Sequence, residues 1–315
     1  MKPTLEALNL SKRYGSFTAL DNLNLKIEGA KCVGFLGPNG AGKTTALKIF
    51  TDLIRPSKGS ALVNGVNVHV NKKIALERVS ALIETPEIYQ SLTPREALGF
   101  VAELRGIPRD VRTMKIEEAL HTVQMDEWVD KKVGKFSKGM KQRVVLASIL
   151  LDDPEIIILD EPTSGLDPRG MSEVRDVVKS LKSKNRLIFM SSHLLNEVSD
   201  ICDEVAMIDH GRLLVYDTLE NVTSRFSGKG STSVVEIGFF RPVDEAIFKK
   251  IETIPSVLSL EQIDSRNIRV KLESGVENQE RLQEELVLMK IGMISFKPSS
   301  SALEDTYLNL IRDTV

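Results

Sequence analysis

From about residue 4 to residue 220, short apolar runs alternate with stretches of helical periodicity. "KCVGFLG", from Lys31, reads as a strand that enters the glycine-rich "GPNGAGKTT" and then a helix, "KTTALKIFTDLI". "EIIILDEP", from Glu155, is a short continuous apolar run, the pattern of a parallel strand buried on both faces. "RLIFMSSH", from Arg186, is another, and it too ends in polar residues. In an open α/β sheet such strand ends gather their loops at one crevice.

The pattern changes at "RFSGKGSTS" (225–233), a small, polar, glycine-containing stretch that reads as a linker. Beyond it, "VVEIGFF", "DEAIFKKIETI", "VLSLEQI", "NIRVKL", "NQERLQEELVLMK" and "MISFKP" give the order β-α-β-β-α-β of a ferredoxin-like unit, followed by a last helix, "SALEDTYLNLIRD". The expectation is an α/β domain over 1–225 and a small α+β domain over 226–315.

Bulk composition narrows the function classes. The 315 residues are 42% hydrophobic and 27% charged, and 42 basic against 44 acidic residues leave a net charge of −2. That balance gives no electrostatic reason to expect nucleic acid as a partner. Cys32 and Cys202 lack metal spacing and imply no disulfide framework. "MKPTLEALNLSKRYG" has no apolar signal region, and apolar stretches such as "VVLA" fall far short of the roughly 20 residues a membrane span needs. Any service to a membrane is expected to pass through a partner.

The chemistry concentrates in three places. Gly37, Pro38, Asn39, Gly40, Ala41, Gly42, Lys43 and Thr44 fit GxxxxGKT, with Thr45 following, between a strand and a helix. The glycines let backbone N–H groups approach phosphate oxygens. Lys43 is expected to reach the β- and γ-phosphates of a nucleotide, and Thr44 to offer its hydroxyl to Mg²⁺. Asp160, at the end of an apolar strand, suits the metal. Glu161 beside it suits the polarising of an attacking water. The third place is "GKFSKGMKQRVVLASILL", from Gly134, where Ser137 N-caps a basic helix and so opens a second anion-binding helix end.

Taken together and in this order, these motifs over residues 4–220 resemble the nucleotide-binding subunit of ATP-binding cassette (ABC) transporters. The resemblance implies a P-loop NTPase cassette with a RecA-like core and a helical subdomain. In that family "LSGGQ" marks the third place, here "FSKGM". It implies that two subunits pack head to tail, so that Ser137 and Gly139 contact the γ-phosphate of ATP held by Gly40, Lys43 and Thr44 of the other. Lys138 departs from the family's glycine and is expected to face solvent rather than phosphate. By the same resemblance Tyr14 stacks on adenine, Ser164 to Asp167 ("SGLD") cross the dimer interface, and His193 senses the γ-phosphate. Where the family generally has a glutamine contacting magnesium and water, the alignable residue is Glu84, with Gln90 the alternative. This replacement is familiar in members resembling bacitracin- and lantibiotic-resistance exporters. His69, His121 and His210 show no ligand spacing, and Trp128 and Cys32 read as packing residues.

The resulting expectation is an ATPase that dimerises around two ATP molecules, a homodimer being permitted by the intact motifs. It would drive transport, in the direction of export, through a separate integral membrane permease, from the cytoplasmic face of the membrane. The competing reading is a soluble ABC ATPase not coupled to a transporter. The sequence leaves the role of the C-terminal domain open.

Overall fold

The structure is a computed structural model, and the described residues are 2–84, 88–182, 185–226, 232–273 and 275–298. The chain divides into two compact units, one ending at Asp217 and one beginning at Thr218, ahead of the boundary expected at 225/226.

The first unit opens with β1 (Thr4–Tyr14) and β2 (Phe17–Glu28), paired antiparallel. β3 (Lys31–Leu36) leads into α1 (Lys43–Phe50), and β4 (Lys58–Val63) and β5 (Val66–Asn67) follow. After α2 (Lys72–Ala75) and β6 (Val79–Leu82) come three helices, α3 (Pro94–Leu104), α4 (Arg109–Thr122) and α5 (Lys138–Leu150). The chain then runs through β7 (Ile156–Asp160), α6 (Pro168–Lys182), β8 (Leu187–Ser192), α7 (Leu195–Ile201), β9 (Glu204–Asp209) and β10 (Arg212–Thr218).

Two sheets result. One has the order β2-β1-β4-β5 with antiparallel pairs. The other has the order β10-β9-β3-β8-β7-β6, and β3 pairs in parallel with both β8 and β9. Crossovers between parallel strands need helices, which is why the apolar runs of the sequence alternate with amphipathic ones. A single core joins both sheets, with Phe35, Phe50 and Phe189 at its centre: the Phe35 and Phe189 rings lie 5.2 Å apart, and Phe50 meets Phe189 edge-on at 6.1 Å. Helix α3 begins at a reciprocal capping box, Thr93 with Glu96, and carries Pro at its start, so its N-terminal donors are satisfied locally.

Helix α1 is shorter than the apolar pattern "KTTALKIFTDLI" predicts. It stops at Phe50 because Asp52 takes a left-handed φ of 54° and the Thr51 hydroxyl bonds back to the Leu47 carbonyl. Asp52 in turn receives His69 Nδ1 and, at 3.2 Å, Lys72 Nζ. Cys32 and Cys202 are buried with their sulphurs 3.6 Å apart, and Trp128 packs edge-on against Phe136.

The second unit begins with α8 (Leu219–Phe226) and β11 (Thr232–Phe239), then α9 (Glu245–Glu252), β12 (Val257–Gln262), β13 (Asn267–Glu273), α10 (Val276–Leu288) and β14 (Met293–Pro298). Its sheet has the order β12-β13-β11-β14, antiparallel at every pair. Val235, Ile237, Val270, Leu272, Leu282 and Leu286 are among the residues of its own core. The helix expected over "SALEDTYLNLIRD" lies outside the described residues, as does part of the 225–233 linker.

Candidate functional site

The register of the parallel sheet brings three sequence motifs to one rim. Leu36 of β3 pairs with Ser192 of β8, and Ser191 pairs with Asp160 of β7, so the residues that follow each strand emerge side by side. Gly42 sits at the N-terminus of α1 with φ 102°, and a Cβ there would fall 2.4 Å from the Ala19 carbonyl oxygen. Only glycine fits. The chain can therefore turn sharply into α1, whose first N–H groups have no partner within the helix and favour an anion.

Lys43 is buried and anchored by its own loop, its Nζ donating to the carbonyls of Gly37 at 2.7 Å and Pro38 at 3.1 Å. Glu161 Oε1 lies 3.5 Å from that ammonium. Burial lowers the Lys43 pKa, and the attraction of Glu161 and Asp160 opposes the shift without cancelling it. A cation held this way, partly stripped of water, gains by meeting further negative charge.

Behind the loop, the Thr44 hydroxyl donates to Asp160 Oδ1 at 3.2 Å. The same oxygen accepts from the Ser191 hydroxyl at 2.6 Å, and Ser191 Oγ accepts from the Glu161 amide at 2.9 Å. His193 Nδ1 is 3.1 Å from Glu161 Oε2. Lys43, Thr44, Asp160, Glu161 and His193, predicted separately from the sequence, thus form one contiguous network.

The donor set fits Mg²⁺. Thr44 and Asp160 offer adjacent hard oxygens, and among the described residues no group of three or more His, Cys, Asp or Glu side chains forms a metal cage. Mg²⁺ characteristically takes one or two protein oxygens and completes its shell with phosphate and water.

Other predicted residues lie elsewhere. The Tyr14 ring is half exposed and carries Lys12 Nζ over one face, 4.9 Å from its centroid. Glu84, at φ 59°, directs its carboxylate to Lys48 Nζ at 2.6 Å rather than to Thr44 or Asp160. Gln90 accepts from the Gly134 amide through its backbone carbonyl, at 3.0 Å. Ser137 caps α5, accepting from the Met140 amide at 3.1 Å, which leaves its hydroxyl proton available for donation. Gly139 meets Gly170 of α6 so closely that a Cβ on Gly139 would lie 2.9 Å from the Gly170 Cα. Lys138 is exposed, and with Lys141, Gln142, Tyr89, Gln90 and Ser164 lines an open groove of about 740 Å³.

Three residues in and around the network escaped the sequence reading. Ser191 carries no charge to single it out. Glu197 of α7 is buried, accepting from the hydroxyls of Thr163 and, at 2.9 Å, Ser192. It ties the loop after Glu161 to the end of β8, next to His193. Lys48 stands one turn beyond Thr44 on the same face of α1, a spacing that was legible but had no known partner.

Comparison with known proteins agrees with this geometry. Residues 20–164 match the family model described as ABC transporter. The chain is 43% identical over 215 residues to the bacitracin transport ATP-binding protein BcrA of Bacillus licheniformis, covering 68% of this chain and 69% of that one. It is 32% identical over 316 residues to the uncharacterized ABC transporter ATP-binding protein YhcH of Bacillus subtilis, covering 100% of this chain and 98% of the relative. A solved ATP-binding subunit of an ABC transporter superposes with a TM-score of 0.62 at 28% identity, over 72% of this chain and 95% of its own.

Proposed function

Because the chain belongs to the ABC transporter family, as one of its ATP-hydrolysing subunits, we propose that two copies close face to face on ATP and drive export through a separate membrane permease. Several features support this reading. Among the described residues no helix is long and apolar enough to cross a membrane, and this reading assigns the path of the transported molecule to a separate permease. The relative from Bacillus licheniformis is named for bacitracin transport, and this reading adds attachment at the cytoplasmic face of the membrane.

One observation carries the two-copy reading. Ser137 spends its side-chain hydrogen bond on its own helix, and no described hydrogen bond or ion pair joins it to Lys43, Thr44, Asp160, Glu161 or His193. A polar helix end that takes no part in its own chain's phosphate site is available to complete a neighbour's. Burying a nucleotide's negative charge between two proteins then draws on positive helix ends from both sides.

Within each copy the roles follow from position. The loop 37–42 and the first turn of α1 bind and orient the phosphates, with Lys43 neutralising them. Thr44 and Asp160 would hold Mg²⁺, which would supply positive charge to offset the phosphates. Glu161 accepts a proton from the attacking water, and His193, hydrogen-bonded to Glu161, fixes its orientation. Tyr14 offers its ring to the base.

The test is ATPase rate against protein concentration, with oligomeric state followed by light scattering. Specific activity is expected to fall as dilution separates the copies. Constant specific activity in a preparation that scatters as monomer would overturn the proposal.

A further inference from the structure

Cys32 and Cys202 are the only cysteines of the chain and stand 170 positions apart, yet their sulphurs lie 3.6 Å from one another. The fold sets them there from several sides. Cys32 is the second residue of β3, and Cys202 caps the C-terminal end of α7. The Cys32 amide donates to Asp203 Oδ2 at 2.9 Å, and the Asp203 amide donates to the Cys32 carbonyl at 2.8 Å. Gly34 lets α7 lie directly on β3, since a Cβ there would fall 2.6 Å from Val198 Cγ1 and 3.1 Å from the Cys202 sulphur. Backbone bonds and close packing thus bring the two thiols together. The sulphurs have only about 1.5 Å left to close before they reach the length of a disulfide bond.

We propose that Cys32 and Cys202 are a redox-responsive pair, which hydrogen peroxide converts to a disulfide that staples α7 to β3 and which an added thiol restores. Cys202 is 7% exposed against 0% for Cys32, so it meets the oxidant first. Its thiol gives up a proton and the sulphur attacks one peroxide oxygen. The O–O bond breaks, and the departing hydroxide takes up that proton and leaves as water. The Cys32 sulphur then attacks the sulfenic acid formed on Cys202. The S–O bond breaks, and a second water leaves with the Cys32 proton. Two thiols and one peroxide become one disulfide and two waters, the sulphurs supplying both electrons. Hydrogen bonding with Cys32, and then burial, hold the Cys202 thiol well above the usual thiol range. The reactive thiolate is therefore scarce at neutral pH, and oxidation quickens as pH rises. Because α7 also carries Glu197, the staple anchors the helix that bridges Thr163 and Ser192.

The test treats the full-length protein with hydrogen peroxide at neutral and at alkaline pH, alkylates the remaining thiols after denaturation, and reads the peptides by mass spectrometry. A linked pair of peptides bearing Cys32 and Cys202, lighter by two hydrogens, is expected, forming faster at the higher pH and lost on adding dithiothreitol. The linked protein is expected to keep the light-scattering mass of the reduced one and to denature at a higher midpoint. Cys202→Ala is expected to leave Cys32 fully open to alkylation and the midpoint unmoved by peroxide. Two thiols still open to alkylation in the unsubstituted protein would overturn the inference. So would a sulfinic acid on Cys202 beside a free Cys32, or a link between two chains.

Discussion

At Glu161 the backbone takes φ 43°, a left-handed conformation that costs a non-glycine residue about 1–3 kcal/mol and persists only when its surroundings enforce it. The enforcement is visible: the Glu161 amide donates to Ser191 Oγ, while its carboxylate stands between Lys43 and His193. Exchanging that carboxylate for an amide of equal size keeps the shape and removes the proton acceptor. Glu161→Gln is thus expected to bind ATP nearly as well as the original while turnover falls by about 10²–10⁴. Equilibrium nucleotide binding measured beside steady-state hydrolysis checks this, and loss of both together would count against the assigned role. Lys43, Thr44, Asp160, Glu161 and His193 were legible because charge and motif spacing mark them. Ser191 was not, since a hydroxyl at a strand end looks like any other until its neighbour across the sheet is known.

Among the elements, α7 and the α5–α6 crossing do the most to shape the site. The Glu197 carboxylate on α7, buried and accepting two hydroxyl hydrogen bonds, joins the loops that bear Glu161 and His193. Glu197→Ala leaves the Thr163 and Ser192 hydroxyls without that partner, at about 1–3 kcal/mol for each buried group left unsatisfied. Chemical denaturation is expected to show that loss, and kcat is expected to drop more than KM rises, because the displaced loops carry catalytic rather than phosphate-anchoring groups. At the crossing, Gly139→Ala pushes a methyl group to 2.9 Å from the Gly170 Cα. The expected cost is about 1–3 kcal/mol, read as a lowered denaturation midpoint. Sequence periodicity located β3, β7 and β8 because both their faces are apolar. It overran the end of α1, where Asp52 gives no apolar signal but has its backbone turned and its side chain engaged by His69 and Lys72. The glycine in "FSKGM" was attributed to phosphate approach, and its tight fit to α6 emerged only from the packing.

For the whole molecule, the two-copy proposal makes a prediction that neither residue nor element supplies. Ser137→Arg spoils the donated half of a neighbour's site, and Lys43→Met spoils the receiving half of its own. Each variant alone is expected to be inactive, yet mixing the two forms pairs in which one site unites an intact Lys43 with an intact Ser137. Recovery of hydrolysis on mixing, measured against each variant at the same total concentration, is the expected outcome; continued inactivity of a mixture shown to exchange subunits would sink it. The change of pattern after residue 220 was readable in the sequence, and the β-α-β-β-α-β order is that of β11 to β14 with α9 and α10. What that unit recognises was not, because Arg269, paired across the sheet with Glu236 and Glu261, carries no motif. The pairing of β3, β7 and β8 has a mechanical corollary. A strand held on both sides cannot slip by one residue without exchanging its inward and outward side chains, so the rim that grips the nucleotide behaves as an anvil. Under the two-copy proposal, the movement that closure drives is therefore expected in parts outside the central sheet.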